Sequence, residues 1–167
     1  VFGGVPITAQ TLGVMLAGAI LGPWLGALSV TVLLVLVAVG LPLLAGGRGG
    51  FAVFLGPTAG YAIGWILGAI VVGLIVHAGN RRPVWWRTAI GMVAGGVVAI
   101  YALGIPVQSL VTRLPLGDTV IASLIFVPGD LLKAAIATIV VTLLVRVAQR
   151  WFGRQWRAAP GEERVAA

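Results

Sequence analysis

Residues 58–78 read TAGYAIGWILGAIVVGLIVHA, a run with no acidic, lysine or arginine side chain. A helix rises about 1.5 Å per residue, so this run is about 30 Å long, the thickness of a bilayer's hydrocarbon core. Gly56-Pro57 precedes it and Asn80-Arg81-Arg82-Pro83 follows, which punctuates the chain at both ends. Working outward, similar runs recur at residues 8–22, 24–41, 88–104 and 128–148. The last apolar stretch begins at residue 119 and is broken by Pro128-Gly129, so residues 119–127 are read as a re-entrant or lead-in segment. Over all 167 residues, 60% are hydrophobic and 9% charged, whereas a soluble domain carries about a quarter charged residues. A chain this short cannot hide so much apolar surface from water. A soluble enzyme and a disordered chain are excluded, and the lack of cysteine excludes a disulfide scaffold. The expected fold is an all-α membrane protein, with residues 1–150 forming the transmembrane domain and 151–167 a basic tail, disordered at its end.

Lysine and arginine outnumber aspartate and glutamate by 11 to 4, yet the placement of the charges argues for membrane topology and against nucleic acid. Arg81, Arg82 and Arg87 form one cluster; Arg146, Arg150, Arg154, Arg157 and Arg164 form another. Both flank apolar runs, as cytoplasmic loops do under the positive-inside rule. With the Arg81/Arg82 loop inside, alternation puts the C-terminus inside too, and leaves Arg48 and Arg113 outside. Trp85, Trp86, Trp151 and Trp156 beside the arginines suit an interfacial aromatic belt. The chain then begins on the outer side, so an absent preceding helix is expected to complete six spans from the five visible.

Two ionisable groups fall inside a span. Asp130 and Lys133 lie three apart, on one face if the segment is helical. Such groups are expensive in lipid and usually face a cavity or pathway. Together they suit a ligand with polar N–H groups and an anionic end. They admit a plainer reading as well, with Asp130 capping the helix and Lys133 snorkelling outward or pairing with Asp130. Thr8, Gln10, Thr11, Thr58 and Tyr61 gather on the same outer side, each explicable singly as a cap or an interfacial anchor. His77 is predicted at the opposite end with no partner ligands, so neither a metal site nor a Ser/His/Asp hydrolase is expected. Gly60, Gly64 and Gly68, like Gly18, Gly22 and Gly26, and Gly91 with Gly95, have the spacing that lets helices approach closely; packing within the chain is the expected use.

Four runs together carry a resemblance: Val5-Pro-Ile-Thr-Ala-Gln-Thr-Leu-Gly13, Gly40-Leu-Pro42, Gly56-Pro-Thr-Ala-Gly-Tyr61 and Pro128-Gly-Asp-Leu-Leu-Lys133. In this order and spacing the chain, to about residue 150, resembles the biotin-transporter substrate-binding components of energy-coupling factor transporters. The resemblance implies a six-helix S-component fold in a bacterial cell membrane and high-affinity capture of biotin from outside, with no catalysis and no cofactor. ATP would be used only by partners, a transmembrane coupling subunit (T component) and a pair of ATP-binding cassette ATPases. It implies that Asp130 faces the ureido ring, that Lys133 shares the pocket, and that Tyr61, Thr58 and Gln10 line it. The glycine-rich loop at 46–50 becomes a candidate lid. Some relatives place an arginine on the span after Gly-Pro-Thr; this chain has none there, which leaves the ligand's carboxylate to Lys133 or to backbone N–H groups.

Two other classes fit the composition: an ion-coupled secondary transporter of a small anionic metabolite, protonated at Asp130, and a non-catalytic membrane anchor or assembly protein. The small size, the lone intramembrane acid and the lack of repeated halves weigh against the first.

Overall fold

Glycine spacing determines which helices touch. The computed structural model describes residues 9–78 and 84–157, the last nine by backbone alone. Arg81, Arg82 and Arg164 lie outside the described residues, as do residues 1–8 and the end of the tail. The helices are α1 (Gln10–Leu21), α2 (Pro23–Val39), α3 (Ala59–His77), α4 (Trp85–Thr112), α5 (Leu116–Leu124) and α6 (Val127–Arg157), with a short 3₁₀ turn at Phe51–Leu55 between α2 and α3. There is no β-strand among the described residues, only an isolated bridge between Leu44 and Arg48.

α3 is the central helix, packed against α1, α2 and the whole length of α4. A Cβ on Gly64 would stand 3.0 Å from the Ile100 carbonyl, and one on Gly68 would stand 2.8 Å from that of Gly95. α1 and α2 meet in the same way, since a Cβ on Gly26 would lie 2.9 Å from the Ala17 carbonyl. The glycine runs thus serve packing within the chain, where dispersion between close backbones replaces the hydrophobic drive that lipid cannot supply.

The α4 residues that face α3 are Gly91, Gly95, Ile100, Gly104 and Gln108. Their steps of four, five, four and four contain one residue too many for a continuous α-helix. A π-turn over Ala94–Ala99 takes up the extra residue and rotates everything after it by about 100°. Beyond it the helix passes through Pro106 to Thr112, where the sequence had suggested a stop near Gly104. Proline is tolerated there because neighbouring helices hold the chain on both sides of it. The helix ends at Arg113, whose φ of 58° is left-handed.

Two buried clusters divide the bundle. Val14, Val30, Leu34, Val37, Ala62, Trp65 and Ile100 fill one half, and Met15, Val72, Val76, Met92, Ala137 and Val141 the other. Outside them, large apolar side chains such as Trp24, Leu110 and Ile121 are well exposed, an arrangement suited to hydrocarbon and costly in water. α3, α4 and residues 127–148 of α6 are each long and apolar enough to cross a membrane. This is a multi-pass membrane protein.

The α3–α4 contact is testable. Gly68→Val should lower thermal stability in detergent, since an overpacked site costs about 1–3 kcal/mol. Gly13→Ala, within α1 at a position with nothing within 4 Å, should not lower it, since alanine is the better helix former.

Candidate functional site

Asp130 lies in the first turn of α6 and is 5% exposed. Its own N–H already donates to the Phe126 carbonyl at 3.0 Å, so it sits inside the helix and does not act as its N-cap. The carboxylate instead reaches across to two other helices. Tyr101 Oη on α4 donates to Oδ2 at 2.6 Å. On Oδ1, Lys133 Nζ donates at 2.8 Å and Thr11 Oγ1 on α1 at 3.3 Å. Lys133 also donates to Thr11 Oγ1 at 3.2 Å, closing a triangle. A buried carboxylate persists only with such company. Each oxygen accepts about two hydrogen bonds, so Oδ2 retains capacity for a further N–H donor.

Tyr61, on the first turn of α3, forms the neighbouring wall. Its ring meets that of Tyr101 edge to face, with centroids 5.8 Å apart. Gly104 makes the slot for it, because a Cβ there would overlap the Tyr61 ring. The Tyr61 hydroxyl donates to Gln108 Oε1 at 2.8 Å and lies 3.1 Å from Ser123 Oγ on α5. Gln108 and Ser123 are both buried. The hydroxyl therefore anchors the ring from behind, and what Tyr61 offers the site is its flat face. Thr58 stands at the N-cap of α3, but its hydroxyl makes no cap bond.

The loop after α2 supplies the remaining wall. Gly40 is left-handed, with Gly40 N–H on the Val37 carbonyl and Leu41 N–H on that of Leu36, a Schellman ending. Leu44 and Arg48 then exchange backbone bonds of 3.0 and 3.2 Å across a three-residue turn, with Gly46 and Gly47 at positive φ. Gly50 N–H returns to Val37 O at 2.7 Å, and Leu44 is buried in the core. The segment expected to be a weakly held lid is closed on itself by the Leu44–Arg48 pair and fastened to the end of α2 by the Gly50–Val37 bond.

These walls enclose one cavity of about 80 Å³, several times the space a single water needs. Gln10, Thr58, Tyr61, Asp130 and Lys133, the five residues singled out in the sequence, all line it. Thr11, Arg48, Trp65, Tyr101 and Phe126 line it too, with Leu44, Val53, Ala62 and Ile100 completing an apolar surface. His77 is far off at the other end of α3, its Nδ1 3.1 Å from the Gly73 carbonyl. Among the described residues no cluster of three His, Asp or Glu side chains would hold a metal ion.

Comparison with known proteins gives this cavity its context. Residues 1–150 match the BioY family. The chain belongs to that family. The biotin transporter BioY of Rhodobacter capsulatus is 47% identical over 154 residues, covering 86% of this chain and 80% of that protein. The probable biotin transporter BioY of Bacillus subtilis is 48% identical over 133 residues, covering 80% and 71%. A crystal structure of the S-component for biotin from an ECF-type ABC transporter superposes with a TM-score of 0.79 at 36% identity, over 87% of this chain and 78% of that one. The S-component fold is therefore that of this chain, and BioY proteins are transporters, not enzymes.

Tyr101 and Arg48 are the two polar lining residues that sequence reasoning missed as site residues, beside apolar ones such as Trp65 and Phe126. Tyr101 had no motif to mark it. Its position after the π-turn is what aims it at Asp130, and the 4-5-4-4 pattern of small or close-packed residues on α4 was the available signal. Arg48 falls in the glycine-rich loop 46–50, which the sequence offers as an outer loop and candidate lid and not as a source of ligand contacts.

The Asp130–Lys133 pair carries a prediction for BioY stability. Asp130→Leu leaves an ammonium without its counter-ion in a largely buried site and should destabilise by about 3–5 kcal/mol. Adding Lys133→Met should recover most of that loss, as measured by thermal unfolding in detergent. Equal stability of the single and double variants would show that the pair is not coupled.

Proposed function

We propose that this chain captures biotin at the outer face of the cell membrane, as the substrate-binding subunit of an energy-coupling factor transporter. The observation that carries the reading is a buried carboxylate with a free accepting site, set in an aromatic cavity of a BioY-family fold. Biotin's ureido ring presents an N–H donor beside its carbonyl, which matches the accepting site left on Oδ2 of Asp130. The ammonium of Lys133 has three donors, of which Asp130 and Thr11 take two; the third suits the ureido carbonyl. Tyr61, Tyr101, Trp65 and Phe126 provide apolar faces for the fused rings and the valerate methylenes. Thr58 and Gln10 add polar groups to the rim. In this reading the chain binds and releases, and no bond is made or broken in it. Import is driven by a transmembrane coupling subunit and a pair of ATP-binding cassette ATPases, which alone use ATP.

Orientation follows from the charges. The cavity is built from the starts of α1, α3 and α6 and the far half of α4, the end opposite Arg87 and Arg146. With the arginine clusters on the cytoplasmic side, the cavity lies in the outer half of the bilayer, facing the supply of the vitamin.

Two measurements test this. Titrating biotin into the detergent-purified protein should give one-to-one binding. Asp130→Asn, which keeps one acceptor oxygen but loses the charge, should weaken it about 100-fold, the scale of a charged hydrogen bond in a desolvated site; unchanged affinity would remove Asp130 from the ureido contact. For orientation, the natural lack of cysteine allows single cysteines to be introduced. A membrane-impermeant maleimide should label Leu114→Cys in intact cells and spare Arg87→Cys; the reverse pattern would invert the topology.

A further inference from the structure

The cavity contains two cations, Arg48 and Lys133, and a single acid, Asp130. Lys133 and Asp130 neutralise each other at 2.8 Å. Arg48 has no ion-pair partner among the described residues; its Nε donates to the Ala45 carbonyl at 3.3 Å within its own turn. Among the described residues the pocket thus keeps one unmatched positive charge, which suits a ligand bearing one negative charge. Position sharpens this. Asp130 and Lys133 are adjacent on α6, so both serve the same end of any ligand. A molecule with N–H donors at one end and a carboxylate beyond a hydrocarbon chain cannot place both ends on that pair. Arg48 reaches the cavity from a different element, the hairpin that follows α2, and makes no hydrogen bond to either member of that pair among the described residues.

We infer that Arg48 receives the carboxylate of the bound ligand and so sets the preference of the pocket for an anionic over a neutral molecule. This rests on the biotin reading above and moves the carboxylate contact from Lys133 to Arg48. The guanidinium presents parallel N–H donors that match a carboxylate two to one. Its hairpin is closed on itself by the Leu44–Arg48 bonds and held to α2 by the Gly50–Val37 bond, which limits the ordering entropy lost on binding. Because Arg48 is exposed at the rim, the contact is partly solvated and weaker than a fully buried pair.

The experiment compares biotin with its uncharged primary amide by calorimetry, on the full chain in detergent, for wild type, Arg48→Ala, Arg48→Lys and Lys133→Ala. Wild type should prefer biotin. Arg48→Ala should weaken biotin about 10-fold and leave the amide unchanged, which also shows that the variant is folded. Arg48→Lys should restore part of the loss, because it keeps the charge without the fork. Lys133→Ala should weaken both ligands alike. Equal effects of Arg48→Ala on biotin and amide, or none on either, would overturn the assignment while wild-type binding of biotin left the capture function standing. Failure of wild type to bind either ligand would remove both.

Discussion

A carboxylate in the membrane half of a helical bundle has to find donors within the protein, and the architecture around Asp130 follows from that demand. Its partners come from three helices: Tyr101 from α4, Thr11 from α1 and Lys133 from α6 itself. Meeting the demand draws α1, α4 and α6 to one point, and that point becomes the floor of the cavity. The acid is both the group suited to reading a ligand and the group that fixes the bundle around the place where a ligand would sit. A fully apolar substitute for the pair would be no less stable in principle; what it would lose is the polarity of the floor.

The opposite wall depends on absence of bulk. Glycines on α3 and α4 bring two backbones into van der Waals contact, and Gly104 leaves the slot that Tyr61 fills. The π-turn lets α4 present its small residues to α3 on both sides of the turn while turning Tyr101 toward α6. Such turns weaken a helix locally and persist where the surroundings compensate. Here the compensation is visible as a hydroxyl-to-carboxylate bond of 2.6 Å and an edge-to-face ring pair.

The parts of this design that were legible in the sequence are those governed by simple periodicity or by the expense of charge in lipid. The helix at residues 58–78 shows as a charge-free run, the Asp130–Lys133 pairing as a three-residue spacing, and the glycine contacts as repeats of four. The membrane character and the S-component fold follow from these and from the four motifs, and the comparisons bear them out. What escaped were features that break the period. The course of α4 through Pro106 depends on packing from its neighbours, and the aim of Tyr101 depends on one inserted residue. Arg48 was hidden for another reason: Ala45-Gly46-Gly47-Arg48-Gly49-Gly50 reads as a loop without preference, and only the bridge to Leu44 and the bond to Val37 show that it is fastened.

That fastening makes the hairpin an extension of α2. Arg48 belongs to a hairpin fastened to α2 and Asp130 to α6, and among the described residues no backbone hydrogen bond joins the hairpin to α6. The span between the two ends of the cavity is then a readout of the tilt between these helices. A ligand of fixed length acts as a strut that favours one tilt, and any force that leans α2 away from α6 shortens or stretches the seat it leaves behind. For a ligand that spanned both ends, affinity and bundle geometry would be linked quantities, and the atoms that recognised it would also register the posture of the protein that held it.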